Sequence, residues 1–191
     1  MTALTRRNVL SAAAATAATA VGPATLPQAA AAEAEDMQLF VTLSAAITGI
    51  DAKILAPAVD PIDIKRQYFK AASTDLAFCQ ILKITKDAPN PAAAADQVMN
   101  NPEPAVKYLG RSIILAWYSG CWYKPETLQA YNSPNPPPPP VNPDKVISPA
   151  AYTQGWMWRV AQAHPMGYSE WRFGYWATDP PPLDDFIGKH A

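Results

Sequence analysis

The chain has 191 residues, enough for one domain with tails, and 49% of them are hydrophobic. Its 15 lysines and arginines are balanced by 16 aspartates and glutamates, for a formal net charge of −1. This balance excludes the basic surface of a nucleic-acid-binding protein, and the apolar content excludes a disordered polyelectrolyte. Only two cysteines and two histidines are present, so a four-ligand Cys/His zinc centre would require all four to converge.

The first 32 residues have the composition of an export signal. Arg6 and Arg7 precede an uncharged stretch, residues 8–32, that consists mostly of alanine and threonine. A twin-arginine pair before a weakly apolar segment is typical of a Tat signal peptide, and three alanines before Glu33 provide a cleavage site. Alanine and threonine contribute little to membrane insertion compared with leucine, isoleucine or phenylalanine, so a permanent membrane anchor is the less favoured alternative. We therefore predict a Tat signal peptide over residues 1–32.

Helical periodicity dominates residues 33–120, which we predict to be the helical core. Apolar side chains recur at intervals of three and four residues before Gly49, where the first helix should end. Asp60-Pro61 and Asn90-Pro91 each place a capping residue before a proline, which favours helix starts at Pro61 and Pro91.

A third helix is predicted to start at Asp75, with Leu76, Cys79 and either Leu82 or Lys83 in line on one face.

The most apolar helix is predicted to open at the Pro102-Glu103-Pro104 segment and to finish before Gly120. A helix that is apolar around so much of its circumference is usually central to its bundle. No stretch alternates with a period of two, so we expect little sheet. The sequence thus predicts an all-α fold, a compact bundle of four to five helices, with Trp117 in its core. Its main apolar row comprises Val106, Leu109, Ile113 and Trp117.

Residues 121–150 form a proline-rich connection. Five consecutive prolines, Pro136–Pro140, force a polyproline II segment without internal hydrogen bonds. Such a segment could be a ligand for a proline-binding domain, but these domains are chiefly intracellular. We therefore favour a stiff surface spacer or a strap on a partner.

Residues 151–191 form a C-terminal helix and an extended aromatic arm of the same domain. Eight aromatic residues fall within residues 152–176, and their spacing is only briefly helical. The arm either wraps its own bundle or contacts a partner, because Trp and Tyr dominate the hot spots of interfaces. As interface residues we predict Trp156, Trp158, Trp171, Tyr175 and Trp176, together with Trp122 and Tyr123.

The usual catalytic motifs are absent. The sequence contains no GxSxG, GxGxxG, Walker lysine loop, HExxH or CxxCH pattern, so covalent c-type haem on this chain is excluded. His164 lies in the aromatic arm and His190 is the penultimate residue, and surface or interface positions explain both better than catalysis. We predict no catalytic, cofactor-binding or metal-binding residues.

Cys79 and Cys121 leave three alternatives open in an oxidising compartment. They could form one disulfide that closes a loop of roughly 40 residues. They could also be two buried thiols, or one of them could bridge to a partner chain. The deciding quantity is the distance between their Cα atoms, which the sequence does not contain.

These features together resemble the small (gamma) subunit of bacterial membrane-bound, FAD-dependent sugar and polyol dehydrogenases, whose members serve sorbitol, fructose and glucose dehydrogenases. The twin-arginine leader comes first, and the segment Ala116-Trp117-Tyr118-Ser119-Gly120 is the most specific match. The similarity also covers the opening helix and the C-terminal end of the arm. Those segments are Leu39-Phe40-Val41-Thr42-Leu43-Ser44 with Thr48-Gly49, and Tyr175-Trp176-Ala177-Thr178-Asp179-Pro180.

The resemblance implies a non-catalytic subunit without a cofactor of its own. FAD would be bound by a large catalytic partner, and a multihaem cytochrome c would be the third subunit, anchoring the complex to the membrane and passing electrons to quinone. A flavoprotein without its own signal could fold in the cytoplasm, bind this chain and cross the Tat translocon on this chain's leader. The complex would then lie in the periplasm, on the outer face of the cytoplasmic membrane.

The sequence departs from the family pattern in two places, and two other functions remain as alternatives. The proline-rich insertion is longer than in relatives, and the stretch 163–168 lacks the cysteine that links some relatives to the catalytic subunit. The alternatives are a free-standing exported enzyme that uses His164 with a nearby carboxylate, and a carbohydrate-binding module that stacks tryptophans on sugar rings.

Overall fold

The computed structural model describes residues 25–138 and 145–163. Within these ranges the chain forms nine helices and one antiparallel pair of two-residue strands, which confirms the predicted all-α class. Five helices have nine residues or more, in line with the predicted bundle. The elements are α1 (Thr25–Thr48), α2 (Ala52–Leu55), α3 (Ile64–Ala72), α4 (Phe78–Asp87), α5 (Pro91–Met99), α6 (Pro104–Ser119), β1 (Cys121–Trp122), α7 (Pro125–Tyr131), β2 (Lys145–Val146), α8 (Pro149–Thr153) and α9 (Trp156–Val160).

Helix α6 is the central element, as its apolar circumference predicted. It packs against α1, α3, α4, α5, α7 and α9. Ile113 is 1% exposed and Trp117 is 3% exposed, and the Trp117 ring meets Tyr68 of α3 edge-on at 4.6 Å between centroids. A second aromatic cluster joins α1, α3 and α4 through Phe40, Phe69 and Phe78.

The predicted C-terminal ends of helices at Gly49 and Gly120 are confirmed, and so is the predicted N-cap at Asn90. Gly49 and Gly120 follow α1 and α6 with φ angles of 76° and 70°, in the left-handed region that glycine adopts without strain. Asn90 caps α5 by accepting a hydrogen bond from the Ala93 N–H at 2.8 Å, and Pro91 occupies the first helical position.

The predicted start of α3 at Pro61 is wrong by three residues. The Asp60 carboxylate accepts a hydrogen bond from the Asp63 N–H at 2.8 Å and closes a turn before the helix. Asp63, at φ 51°, is the residue that precedes the first turn, and α3 begins at Ile64. The side chain of Asp60 therefore caps a turn rather than the helix that the Asp-Pro pattern predicted.

The predicted third helix also has a different inner face. The Asp75 carboxylate binds the Ala77 N–H at 2.9 Å in a turn, so that α4 begins only at Phe78. Leu76 is fully exposed and Cys79 is exposed; of the two candidates for the third member of the row, Leu82 is buried and Lys83 is exposed. The large Phe78 ring, rather than Leu76, sets which face of α4 turns inward. The buried side chains of α4 are Phe78, Ile81, Leu82 and Thr85.

The proline-rich connection contains a helix that the sequence did not predict, since α7 lies within residues 121–150 and packs against α6. Of the five consecutive prolines, Pro136–Pro138 are exposed and without regular secondary structure, and the other two lie outside the described residues. The polyproline II conformation stays a prediction.

The signal peptide over residues 1–32 also stays a prediction. Helix α1 begins at Thr25, inside this segment, and the earlier residues are not described. No helix in the described ranges is both long enough and apolar enough to cross a membrane.

Candidate partner-contact surface

A groove of about 280 Å³ opens between residues 56–63, which connect α2 to α3, and helix α9. We call it the α9 groove. Trp117 of α6 contributes to its lining, so the groove lies against the core of the bundle. Its lining residues are Ile54, Leu55, Pro57, Val59, Asp60, Pro61, Ile62, Ile64, Trp117, Gln154, Trp156 and Arg159.

The α9 groove has apolar side chains that the described chain leaves in solvent. Val59 is 85% exposed and Ile62 is 41% exposed, and both line the groove. Val160, on α9, is 42% exposed. A cluster of exposed aliphatic side chains beside a concave surface is typical of a contact site for another protein segment.

Arg159 is the groove's uncompensated charge. Its guanidinium lies 4.6 Å from the centroid of the Trp156 ring and donates a hydrogen bond to the Gln154 side-chain oxygen at 3.3 Å. Burial lowers the pKa of Arg159 from its usual value. Among the residues that the structure describes, no carboxylate lies within ion-pair distance of this guanidinium.

Asp60, the acidic residue of the same groove, is already occupied. It forms an ion pair with Lys65 at 2.9 Å in addition to its hydrogen bond with the Asp63 N–H. Lys65 also pairs with Asp63 at 3.0 Å, and Arg66 pairs with Asp63 at 2.9 Å. The hydrogen bond from Lys65 is the largest cause that lowers the pKa of Asp63, and Arg66 adds to it against the opposing effect of burial. These carboxylates thus fix the segment before α3 rather than neutralise Arg159.

A second groove, of about 370 Å³, lies between α6 and α7; we call it the α6–α7 groove. Arg111 lies 4.9 Å from the centroid of the Tyr108 ring, and the Asn132 amide donates a hydrogen bond to the Tyr108 hydroxyl at 2.9 Å. Its aliphatic side chains, Ile114, Leu115 and Leu128, are half-buried, so this groove lacks the exposed aliphatic rim of the first.

The predicted interface residues have different environments. Trp156 is only 5% exposed and belongs to the hydrophobic core, and it also contributes to the lining of the α9 groove, so its role at an interface stays a prediction. Trp158 is half-buried and donates a hydrogen bond to the Tyr152 carbonyl at 2.8 Å. Trp122 and Tyr123 are half-buried beyond the end of α6. The remaining predicted residues, Trp171, Tyr175 and Trp176, lie outside the described residues, as do Arg6, Arg7 and His164.

Sequence reasoning missed the groove residues Val59, Ile62 and Arg159. A signal was present, because Val59 and Ile62 are aliphatic residues in a segment punctuated by Pro57 and Pro61, where neither can join a helical stripe. Arg159 gave no such signal, since it stands out only because no carboxylate of residues 25–138 and 145–163 forms an ion pair with it, which the fold reveals.

The two cysteines are not joined in this structure. Cys79 is an exposed free thiol, and Cys121 is buried, with its thiol directed to the Ser119 carbonyl at 3.6 Å. The first of the three alternatives, a disulfide between them, is therefore not formed. Of the two cysteines, Cys79 is the one whose thiol is accessible to a partner chain.

The altered acid–base groups of the described chain have structural causes. Burial raises the pKa of Tyr68, with a smaller effect of Cys121, and the Tyr68 hydroxyl donates a weak hydrogen bond to the Ala151 carbonyl at 3.4 Å. The Lys86 ammonium binds Glu35 at 2.8 Å and lowers the pKa of that exposed carboxylate.

Within residues 25–138 and 145–163, no three His, Cys, Asp or Glu side chains are grouped closely enough to hold a metal ion.

Comparison with known proteins gives one match. Neither the curated proteins nor the solved structures that were searched include a protein that matches this chain. A family model described as membrane-bound, FAD-containing D-sorbitol dehydrogenase matches residues 4–180, which cover the twin-arginine pair, every described helix and most of the aromatic arm. The chain therefore belongs to the membrane-bound, FAD-containing D-sorbitol dehydrogenase family.

Proposed function

We propose that this chain is the non-catalytic small subunit of a membrane-associated, FAD-dependent dehydrogenase complex that oxidises a sugar, a polyol or another alcohol. The family match over residues 4–180 is the observation that carries this proposal. The small-subunit role is the one that the leader, the Ala116–Gly120 segment and the C-terminal arm resemble. In this proposal the chain stabilises the catalytic flavoprotein and escorts it through export.

The described residues do not fit FAD, the cofactor in the family's description. Dinucleotide-binding folds hold the pyrophosphate with a parallel strand, a G-x-G-x-x-G turn and the helix that follows it. The described strands have two residues each and pair antiparallel, and none of the chain's eight glycines falls in that spacing. We therefore assign FAD to the partner chain and derive no catalytic step on this one.

The leader supplies the export part of the proposal. The Tat route carries folded cargo, so a flavoprotein that has already bound FAD in the cytoplasm could cross with a partner that carries Arg6 and Arg7. After export, the complex would lie on the periplasmic face of the cytoplasmic membrane. A multihaem cytochrome c subunit would provide the membrane anchor and accept electrons for transfer to quinone.

Contact with the catalytic subunit is assigned to two parts of this chain. The first is the α9 groove with the half-buried Trp158 beside it, and the second is the arm that carries Trp171, Tyr175 and Trp176. Aromatic side chains provide large contact areas at low cost in conformational entropy, which explains why they dominate interface energetics. Trp122 and Tyr123, which follow α6, remain predicted contacts.

The test is a leader variant, Arg6→Lys with Arg7→Lys, expressed in the native host with the intact partner genes. We expect the FAD-loaded catalytic subunit to remain in the cytoplasm, because its only export signal is lost. The measurement is the flavin absorbance of protein that co-purifies with this chain from periplasmic and cytoplasmic fractions.

Asn8→Ala, directly after the arginine pair, is the matched control and should leave export unchanged. A periplasmic, flavin-loaded catalytic subunit in the double-lysine variant would contradict the escort role. A chain that purifies from its host without any flavoprotein would contradict the subunit role itself.

A further inference from the structure

We propose that the α9 groove binds a segment of the catalytic subunit that inserts an apolar side chain between residues 56–63 and α9 and places a carboxylate on Arg159. This inference rests on the proposed subunit role and goes beyond it, because it specifies where on this chain the flavoprotein docks and by which chemistry.

The charge of the groove supports the carboxylate. Its two charged lining residues are Asp60 and Arg159, and Asp60 is held by Lys65 at 2.9 Å and by the Asp63 N–H at 2.8 Å. Arg159 has only the Gln154 amide oxygen and the face of Trp156 as described partners. A guanidinium presents several donors in a planar fork, so a carboxylate is the group that satisfies it best.

Trp117, which contributes to the lining of the same groove, contains a buried donor. Trp117 is 3% exposed, and its indole N–H has no hydrogen-bond partner among the described residues. A buried N–H without a partner destabilises a protein, and most buried polar groups have a hydrogen-bond partner. An incoming segment with a carboxylate offers an acceptor of the kind that Arg159 lacks.

The exposed aliphatic residues at the rim of the groove support an apolar side chain in the occupant. Val59 and Ile62 expose aliphatic surface on one side of the groove. Covering this surface removes apolar area from water, which favours association. The α6–α7 groove also contains an arginine over an aromatic ring, but its aliphatic side chains are half-buried, whereas Val59 and Ile62 of the α9 groove are exposed.

The experiment compares two variants of exposed aliphatic residues in the full chain, co-expressed with its catalytic subunit. Val59→Asp places a negative charge on the groove rim, where it repels the partner's carboxylate. Leu76→Asp makes the same change at a fully exposed position between α3 and α4, away from the groove. Because both wild-type side chains are exposed, neither change should impair folding.

We expect Val59→Asp to raise the apparent dissociation constant of the complex by on the order of 10-fold or more, and Leu76→Asp to leave it unchanged. The measurement is the fraction of flavin that co-elutes with tagged chain over a dilution series. A third variant, Arg159→Gln, should weaken binding by about 30-fold and make it less sensitive to added salt than the wild type.

The outcomes separate this inference from the proposed function. If the wild-type chain carries a flavoprotein and Val59→Asp carries it equally well, the groove is not the docking site, although the subunit role stands. If Val59→Asp alters the oligomeric state of the isolated chain, a second copy occupies the groove. If it lowers the unfolding midpoint of the isolated chain, this chain's own residues cover Val59. Either result overturns the inference.

Discussion

Helix α6 and residues 56–63 approach each other at Trp117, yet different interactions hold them in place. Along α6, the side chains of Val106, Leu109 and Ile113 are 1% exposed or less, so apolar packing is the main interaction that fixes the helix. In residues 56–63, Val59 is 85% exposed, and the backbone is held by the carboxylate of Asp60. The comparison shows that the core is self-sufficient, whereas the groove rim is ordered by polar contacts and keeps its apolar surface available.

The largest expected effect falls on the core side of this comparison. Trp117→Ala removes a ring that is 97% buried and packs edge-on against Tyr68, so we expect the free energy of unfolding to fall by about 3 to 5 kcal/mol. Urea unfolding followed by circular dichroism measures the loss. If the free energy of unfolding falls by less than about 1 kcal/mol, packing does not fix α6, and the contrast with residues 56–63 is wrong.

Trp117→Phe sharpens the same test. The indole N–H of Trp117 is buried without a described partner, and phenylalanine removes this donor while it keeps an aromatic ring against Tyr68. The cost of the smaller ring is therefore offset in part, and the loss should be well below that of Trp117→Ala.

Gly120→Ala should have the next largest effect, because it disturbs the junction between α6 and α8. Gly120 has a φ angle of 70°, and a Cβ there would overlap the carbonyl of Ala151, which is backbone and cannot rotate away. We expect a loss of about 2 to 4 kcal/mol in the free energy of unfolding, measured by urea titration. Gly49→Ala, at a φ of 76°, is the control for backbone strain alone and should cost about 1 to 2 kcal/mol. Equal losses in the two variants would show that close packing of α8 against α6 is unimportant.

The periodicity of the sequence was sufficient to predict the core but not the rim. The spacing of Val106, Leu109, Ile113 and Trp117 predicts a buried helix, because one side of a helix must face the interior whatever its neighbours are. The same reasoning gave the wrong face for α4, since the turn formed by Asp75 delays the helix and brings Phe78 inward.

The candidate site could not be predicted in this way. Trp156 was expected at an interface from its residue type, but its burial depends on α6, which is distant in sequence. The groove rim has no periodicity, and Arg159 stands out only when the fold shows that Asp60 is taken up by Lys65. Residue type therefore predicted a contact surface in this region, which stays a prediction, and it could not predict which side chains remain exposed there.

The smallest expected effect concerns the ion pairs of the segment before α3. It is detected through the pH dependence of the free energy of unfolding. Lys65, and to a lesser extent Arg66, hold the pKa of Asp63 below its ordinary value of 3.8. A lowered folded-state pKa means that the ionised carboxylate stabilises the fold above the unfolded-state pKa, and that this stabilisation disappears as the pH falls through the folded-state value. Asp63→Asn removes the charge but tolerates the residue's φ of 51°, because asparagine also adopts the left-handed region.

We expect Asp63→Asn to lower the free energy of unfolding by less than about 1 kcal/mol near neutral pH, since the pair is partly exposed. The difference from wild type should shrink as the pH is lowered below about 4, where the wild-type carboxylate takes up its proton. Urea titrations of both proteins across this range measure it, and Asp87→Asn on α4, whose partner Lys83 is exposed, controls for a general loss of surface charge. A difference between Asp63→Asn and wild type that does not depend on pH would mean that Asp63 acts through its backbone conformation. The rim would then be ordered by local geometry, not by the ion pairs that distinguish it from α6.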